Sequence, residues 1–310
     1  MTRLEELIKV RDILSKVDYG TLTDIMDSYV PKIPLIVFDF KNKMFDLGQH
    51  YAGGSNLLYR ARLLDEKTKQ PFPLLQDLSY IPDDKKYKIQ KYGRVNKPGE
   101  SMFYASTNIA TACLETFSKG ENMKIFLEKG SMLLAVGVWK IEQPMTFAQM
   151  SSPEKYFERF INEVNTLDLK KVTIEKVRKN NQYLKEQIGN EEEFKILEFF
   201  SEEFAKTDTI DHNQYKLSNY FADRAFNRNR KFSFELDIDG IWYPSVPSAY
   251  QEANIVIPPK IVEEKLKFLW ADIIWVVHFK ESGQTQFNPI EQRAKVNENG
   301  IIEWTTKRLN

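Results

Sequence analysis

The chain of 310 residues has a single cysteine, Cys113, so no internal disulfide can form. Histidine is nearly as scarce. His50, His212 and His278 lie far apart, none belongs to an H-x-x-x-H pair, and a zinc site has too few ligands. Glycine occurs only 13 times, with no G-x-x-x-x-G-K-[ST] and no G-x-G-x-x-G, which excludes a P-loop and a dinucleotide fingerprint. A G-x-S-x-G nucleophile elbow is missing as well. There is no surplus charge of either sign: 44 Lys and Arg balance 44 Asp and Glu. Duplex binding rests on a basic surface, so no direct nucleic-acid binding is expected, although a local basic cleft remains compatible. Long apolar runs are lacking too. LWADIIWVVHF contains an aspartate and is too short to span a bilayer. The opening MTRLEELIKVRDIL is charged and amphipathic, without the apolar stretch of a signal peptide. These absences predict a cytoplasmic protein with no membrane partner, no metal and no resident cofactor.

What remains is a globular composition, 42% hydrophobic and 28% charged, long enough to bury a real core. Residues 3–16 show helical spacing, and Thr21 or Thr23 is placed to cap a second helix through Tyr29. IPLIVFDF at 33–40, NLLYRARLL at 56–64, SMFYAS at 101–106 and SMLLAVGVWKI at 131–141 read as strands. The Pro-, Asp- and Lys-rich stretch 65–91 reads as an exposed loop. Thr107 or Asn108 caps a helix whose apolar stripe is Ala110, Cys113, Leu114 and Phe117. Residues 152–207 change character to charged helical patterns and read as a helical insertion, continued by a helix over 213–227. Strand signals return in FELDIDGIWYPSV, ANIVIP, LWADIIWVVHF and IIEWTT. The pattern is α+β: a mixed sheet with flanking helices. Residues 1–50 form a mainly helical extension, and 51–310 a single domain carrying the insertion.

Several side chains invite a chemical reading. Arg60 and Arg62 share one face of LLYRARLL, where they must face water, pair with carboxylates or hold an anion. Arg94 follows Gly93 in a loop ending at Pro98-Gly99; it is solvent-facing or grips a phosphate at two points. Tyr104 on SMFYAS is a core tyrosine with a bonded hydroxyl or a stacking surface. Glu115 sits at the edge of its helix's apolar stripe, about 100° from Leu114, facing solvent or leaning into a cleft. Ser245 follows IWYP at a strand end, where a hydroxyl caps a turn or reaches a ligand.

Arg94, Tyr104 and Glu115 are spaced at 10 and 11 residues. Together LYRAR at 58–62, GRVNKPGESMFYAS at 93–106, ATACLE at 110–115 and DGIWYPSV at 239–246 resemble the RES domain, a family named for its arginine, glutamate and serine. The resemblance spans roughly residues 55–260. It implies a fold similar to ADP-ribosyltransferases, with a mixed, split sheet, and action on NAD+ as substrate. Many RES proteins are bacterial toxins that deplete NAD+ by hydrolysis or phosphorolysis, and some transfer ADP-ribose to a protein. A helix-turn-helix antitoxin usually neutralises them. By position, the resemblance implies Glu115, Tyr104 and Arg94 as catalytic residues and Arg60, Arg94, Tyr104 and Ser245 as NAD+-binding residues. Pro247 stands where an arginine is common, the segment between LYRAR and GRVN is long, and neither 1–50 nor 152–207 has a counterpart in the compact toxins. The expectation is an NAD+ glycohydrolase or phosphorylase acting as a growth-arresting toxin or defence effector. A mono-ADP-ribosyltransferase and an inactive NAD- or ADP-ribose-sensing module are the alternatives. A protein antitoxin, another regulatory partner and a homo-oligomer are open as partners.

Overall fold

A computed structural model describes residues 2–40, 56–64, 72–117, 120–153, 167–206, 211–226, 237–248, 252–282 and 284–306. The chain opens with two helices, α1 (Arg3–Leu14) and α2 (Tyr19–Tyr29). Thr2 and Glu5 close a capping box on α1, satisfying two backbone donors reciprocally. The cap of α2 is Asp18, whose carboxylate accepts the Thr21 N–H at 3.0 Å. This corrects the expectation of Thr21 or Thr23: the helix begins earlier, and both threonines lie inside it.

The described residues include ten strands: β1 (Ile36–Phe40), β2 (Leu57–Leu63), β3 (Phe103–Ser106), β4 (Ser131–Ile141), β5 (Met145–Gln149), β6 (Gly240–Pro244), β7 (Ala253–Ile257), β8 (Leu266–Phe279), β9 (Gln284–Val296) and β10 (Ile302–Thr306). They form one sheet in the order β1-β5-β6-β7-β3-β2-β4-β8-β9-β10. β5 and β6 pair in parallel and the other neighbours antiparallel, so the fold is α+β with a mixed sheet. β1 makes the N-terminal segment's contribution to the sheet, pairing along β5 from Ile36 to Phe40.

The sheet is weakest at its middle. β2 pairs with β4 along its whole length, from Leu57 to Leu63, but meets β3 only at Tyr59 and Ser106. The two strands therefore diverge, and the gap has walls on both sides.

The other helices among the described residues are α3 (Ile109–Phe117), α4 (Gly120–Lys129), α5 (Leu167–Ile188), α6 (Glu191–Ala205), α7 (Lys216–Ala225) and α8 (Pro259–Lys265). Asn108 caps α3, its Oδ1 accepting the Ala110 N–H at 2.8 Å. Asn190 caps α6, with three glutamates in the first turn favoured by the helix dipole. α5 and α6 fall in the expected helical insertion; residues 154–166 of that stretch lie outside the described residues, as do 41–55. The N-terminal helices share one core with α6 and α7: Leu7, Leu14, Leu22 and Met26 pack with Phe200, Phe204 and Phe221 over Ile241 and Val256. Phe103, Trp139, Ile255 and Ile257 build a second core, and α3 contributes Cys113 to a third with Leu134 and Val136.

Two expectations need correcting here. The stretch after residue 71 is not simply an exposed loop: it makes 3-10 turns at Leu75–Leu78 and Asp83–Lys88, and Leu78 and Ser79 are buried. β5, β9, α4 and α8 were absent from the expected elements and complete the sheet and its flanks. No helix among the described residues is long and apolar enough to cross a membrane.

Candidate functional site

A cavity of about 330 Å³ opens where β2 and β3 part. The strand register shows how it is built. Tyr243 on β6 lies opposite Asn254 on β7, Asn254 opposite Ser106 on β3, and Ser106 opposite Tyr59 on β2. Residues directly opposite in antiparallel strands share a face. The four side chains form one row across the sheet, and all four line the cavity.

Glu115 reaches this row from α3. That helix lies over β2, with the Thr116 hydroxyl 2.9 Å from the Ala112 carbonyl of its own helix and 3.3 Å from the Ala61 carbonyl of β2. Two donors from the far side of the gap meet the Glu115 carboxylate at the same oxygen. Ser245 Oγ donates to Oε1 at 2.8 Å and Asn254 Nδ2 donates to it at 2.6 Å. Ser106 Oγ in turn donates to Asn254 Oδ1 at 2.7 Å. Such charge-assisted bonds are roughly twice as strong as neutral ones, so they hold the carboxylate in place.

Arg60 enters from β2. One guanidinium N–H donates to the Tyr104 carbonyl at 2.6 Å, and the group lies over the Phe103 ring, 5.4 Å from its centroid. Its Nε is buried without a hydrogen-bond partner. Burial, and next the cation of Arg62, push Arg60 down to about 9. Arg62 does not line the cavity; it reaches the Ser79 carbonyl at 3.5 Å, and burial lowers it too.

Arg94 is buried and lines the cavity from the loop before β3. Its guanidinium donates to the carbonyls of Phe204 and, at 2.8 Å, Lys206, tying the loop to the end of α6. It also lies over the Tyr215 ring at 5.6 Å. Burial opposes its charge, but Tyr215, Tyr243 and Glu115 outweigh that and raise it above its usual value. Tyr104 spends its hydroxyl locally, donating to Asn96 Oδ1 at 2.8 Å and accepting the Val95 N–H at 3.1 Å, so its ring is fixed. Gly93 lets this turn close. A Cβ there would lie 2.3 Å from Asn96 Oδ1.

Four of the five site residues that the resemblance implied thus line one cavity: Arg60, Arg94, Tyr104 and Glu115. Ser245 does not. It is fully buried behind Glu115 and touches the cavity through that carboxylate. Sequence reasoning missed Asn254, Ser106, Asn96, Tyr59, Tyr215, Tyr243 and His212. The signal for Asn254 was present, one amide in the apolar run ANIVI. His212 Nδ1 lies 3.1 Å from the Tyr92 carbonyl. A carbonyl only accepts, so that nitrogen carries the proton. Burial pushes the Tyr243 hydroxyl well above its ordinary value. Among the described residues, no group of three or more His, Cys, Asp or Glu side chains is placed to hold a metal ion.

Compared with known protein families and with curated proteins, the chain matches none.

Proposed function

We propose that this chain is an ADP-ribosyltransferase-like RES enzyme that cleaves the nicotinamide–ribose bond of NAD+. The observation that carries the reading is the Glu115 carboxylate, held on one oxygen by Ser245 and Asn254 in a cavity it shares with the buried Arg94 and the half-buried Arg60. The ligand such a site suits has a cationic centre beside a carboxylate and an anionic group beside guanidinium. NAD+ has both. The volume is at the low end of small-molecule sites, roughly 300–1,000 Å³. It suits the nicotinamide riboside end with its phosphate, leaving the adenosine half outside.

In this reading Arg60 and Arg94 bind the diphosphate, and the fixed ring of Tyr104 meets the nicotinamide or its ribose. The C1′–N bond breaks with both electrons going to the ring nitrogen, which loses its positive charge as nicotinamide leaves. The ribose becomes oxocarbenium-like, as in glycoside hydrolysis. Glu115 accepts a hydrogen bond from a ribose hydroxyl and stabilises that charge. Ser245 acts through Glu115 rather than on the substrate, which follows from its burial. A water oxygen then bonds to C1′ and releases a proton, giving ADP-ribose.

In cells, such an activity arrests growth by draining NAD+, as a toxin or a defence effector does. The acceptor is decided by product analysis with NAD+ labelled in the adenylate half. Free ADP-ribose identifies hydrolysis, a phosphorylated ADP-ribose identifies phosphorolysis, and label on a macromolecule identifies transfer. Binding of NAD+ without any product would replace the enzyme with a sensing module.

A further inference from the structure

We infer that Asn254 is a positioning residue for Glu115, the centre of a relay running from Ser106 to the reacting carboxylate; this rests on the proposed NAD+ cleavage. Asn254 is 3% exposed, in a strand whose other residues, Ala253, Ile255, Val256 and Ile257, are all fully buried and apolar. A buried amide in such a strand is costly unless both ends are hydrogen-bonded. Both ends are: Nδ2 to Glu115 Oε1 at 2.6 Å, and Oδ1 to Ser106 Oγ at 2.7 Å.

The direction of the relay follows from proton counting. An ionised carboxylate only accepts, so the NH2 end of the amide must face Glu115. The carbonyl end then faces Ser106, whose one hydroxyl proton goes to it. Ser106 and Asn254 are registered partners on β3 and β7, so the strand pairing itself sets their distance. Turned over, the amide would aim Oδ1 at the carboxylate, two acceptors with no proton between them. The carboxylate thus sets which way round Asn254 sits, Ser106 anchors the other end of the amide by donating to Oδ1, and Asn254 holds Glu115. The relay also crosses the gap: Glu115 comes from the helix over β2, while Asn254 and Ser245 come from the β6–β7 side. Ser245 and Asn254 bond the same oxygen, so losing either removes one of the two donors that meet at Oε1.

The test is a double-mutant cycle on nicotinamide release, which a merely structural role would not satisfy. Asn254→Ala is expected to lower kcat about 10- to 100-fold, as for one lost hydrogen bond to a charged group, with KM nearly unchanged. In the Glu115→Gln background the same change is expected to cost less than about threefold, because its effect passes through the carboxylate. Should Asn254→Ala fold poorly, Ser106→Ala carries the test: it leaves the amide in place but unfixed, and a smaller kcat loss is expected, again vanishing beside Glu115→Gln. Equal losses in both backgrounds, or a wild-type rate in the fallback variant, overturn the relay while leaving NAD+ cleavage standing. Wild-type protein that releases no nicotinamide overturns both.

Discussion

Replacing Arg60 with methionine is expected to make the protein more stable and to weaken its affinity for pyrophosphate. The guanidinium is buried at Nε, and the neighbouring cation Arg62 adds to the cost of its charge. Burial pushes its pKa down to about 9, which sets about 5 kcal/mol against the charged form. Methionine also forfeits the bond to the Tyr104 carbonyl, about 1.5–3 kcal/mol, and the contact with the Phe103 ring, about 0.5–1 kcal/mol. The balance is a gain of about 1–3 kcal/mol. At about 2 °C per kcal/mol for a chain of this size, Tm rises by about 2–6 °C. The sign with pH follows from linkage. The folded value lies below the unfolded one, so the penalty is full below about pH 9 and is relieved as pH rises above 9 towards the ordinary arginine range. Thermal unfolding at pH 7 and pH 10 should therefore show the gap between variant and wild type narrowing at pH 10. Millimolar pyrophosphate should raise the wild-type Tm more than the variant's. A variant that melts lower at pH 7, or gains as much from pyrophosphate as wild type, would refute the reasoning.

Two further outcomes follow from the loop before β3. Gly93→Ala sets a Cβ 2.3 Å from Asn96 Oδ1, the acceptor of the Tyr104 hydroxyl, so Asn96 must turn away. Nicotinamide release is expected to fall about tenfold while Tm moves little, because the displaced atoms end a flexible side chain; steady-state kinetics beside a melt checks both. Arg94→Lys puts one ammonium where a planar group served two carbonyls of the α6 end and the Tyr215 ring. A loss of about 1–3 kcal/mol is expected, read as a lower Tm.

The elements most legible in the sequence are those with a local cause. β4 runs from Ser131 to Ile141, as its apolar β-branched run predicts, and Asn108 caps α3 as its side chain allows. β9 escaped because QTQFNPIEQRAKV is polar and interrupted by Pro289; its pairing with β8 makes it a strand. The 3-10 turns after residue 71 escaped for the same reason, since Leu78 is buried by distant partners. The site divides likewise. Arg60, Arg94, Tyr104 and Glu115 stood out as charges or rings at odds with their elements. Asn254 and Ser106 are short and uncharged, and only the register of β7 on β3 brings them together. That Arg94 holds the end of α6, 110 residues away, has no local trace at all.

The most direct measurement is nicotinamide release from NAD+ by purified wild-type protein and by Glu115→Gln. Release by wild type and a loss of about 10²–10³-fold in the variant, with the fold intact by melting, is the expected result. Intact NAD+ with both proteins, in the presence and absence of phosphate, would contradict it, and so would a variant that turns over NAD+ at the wild-type rate.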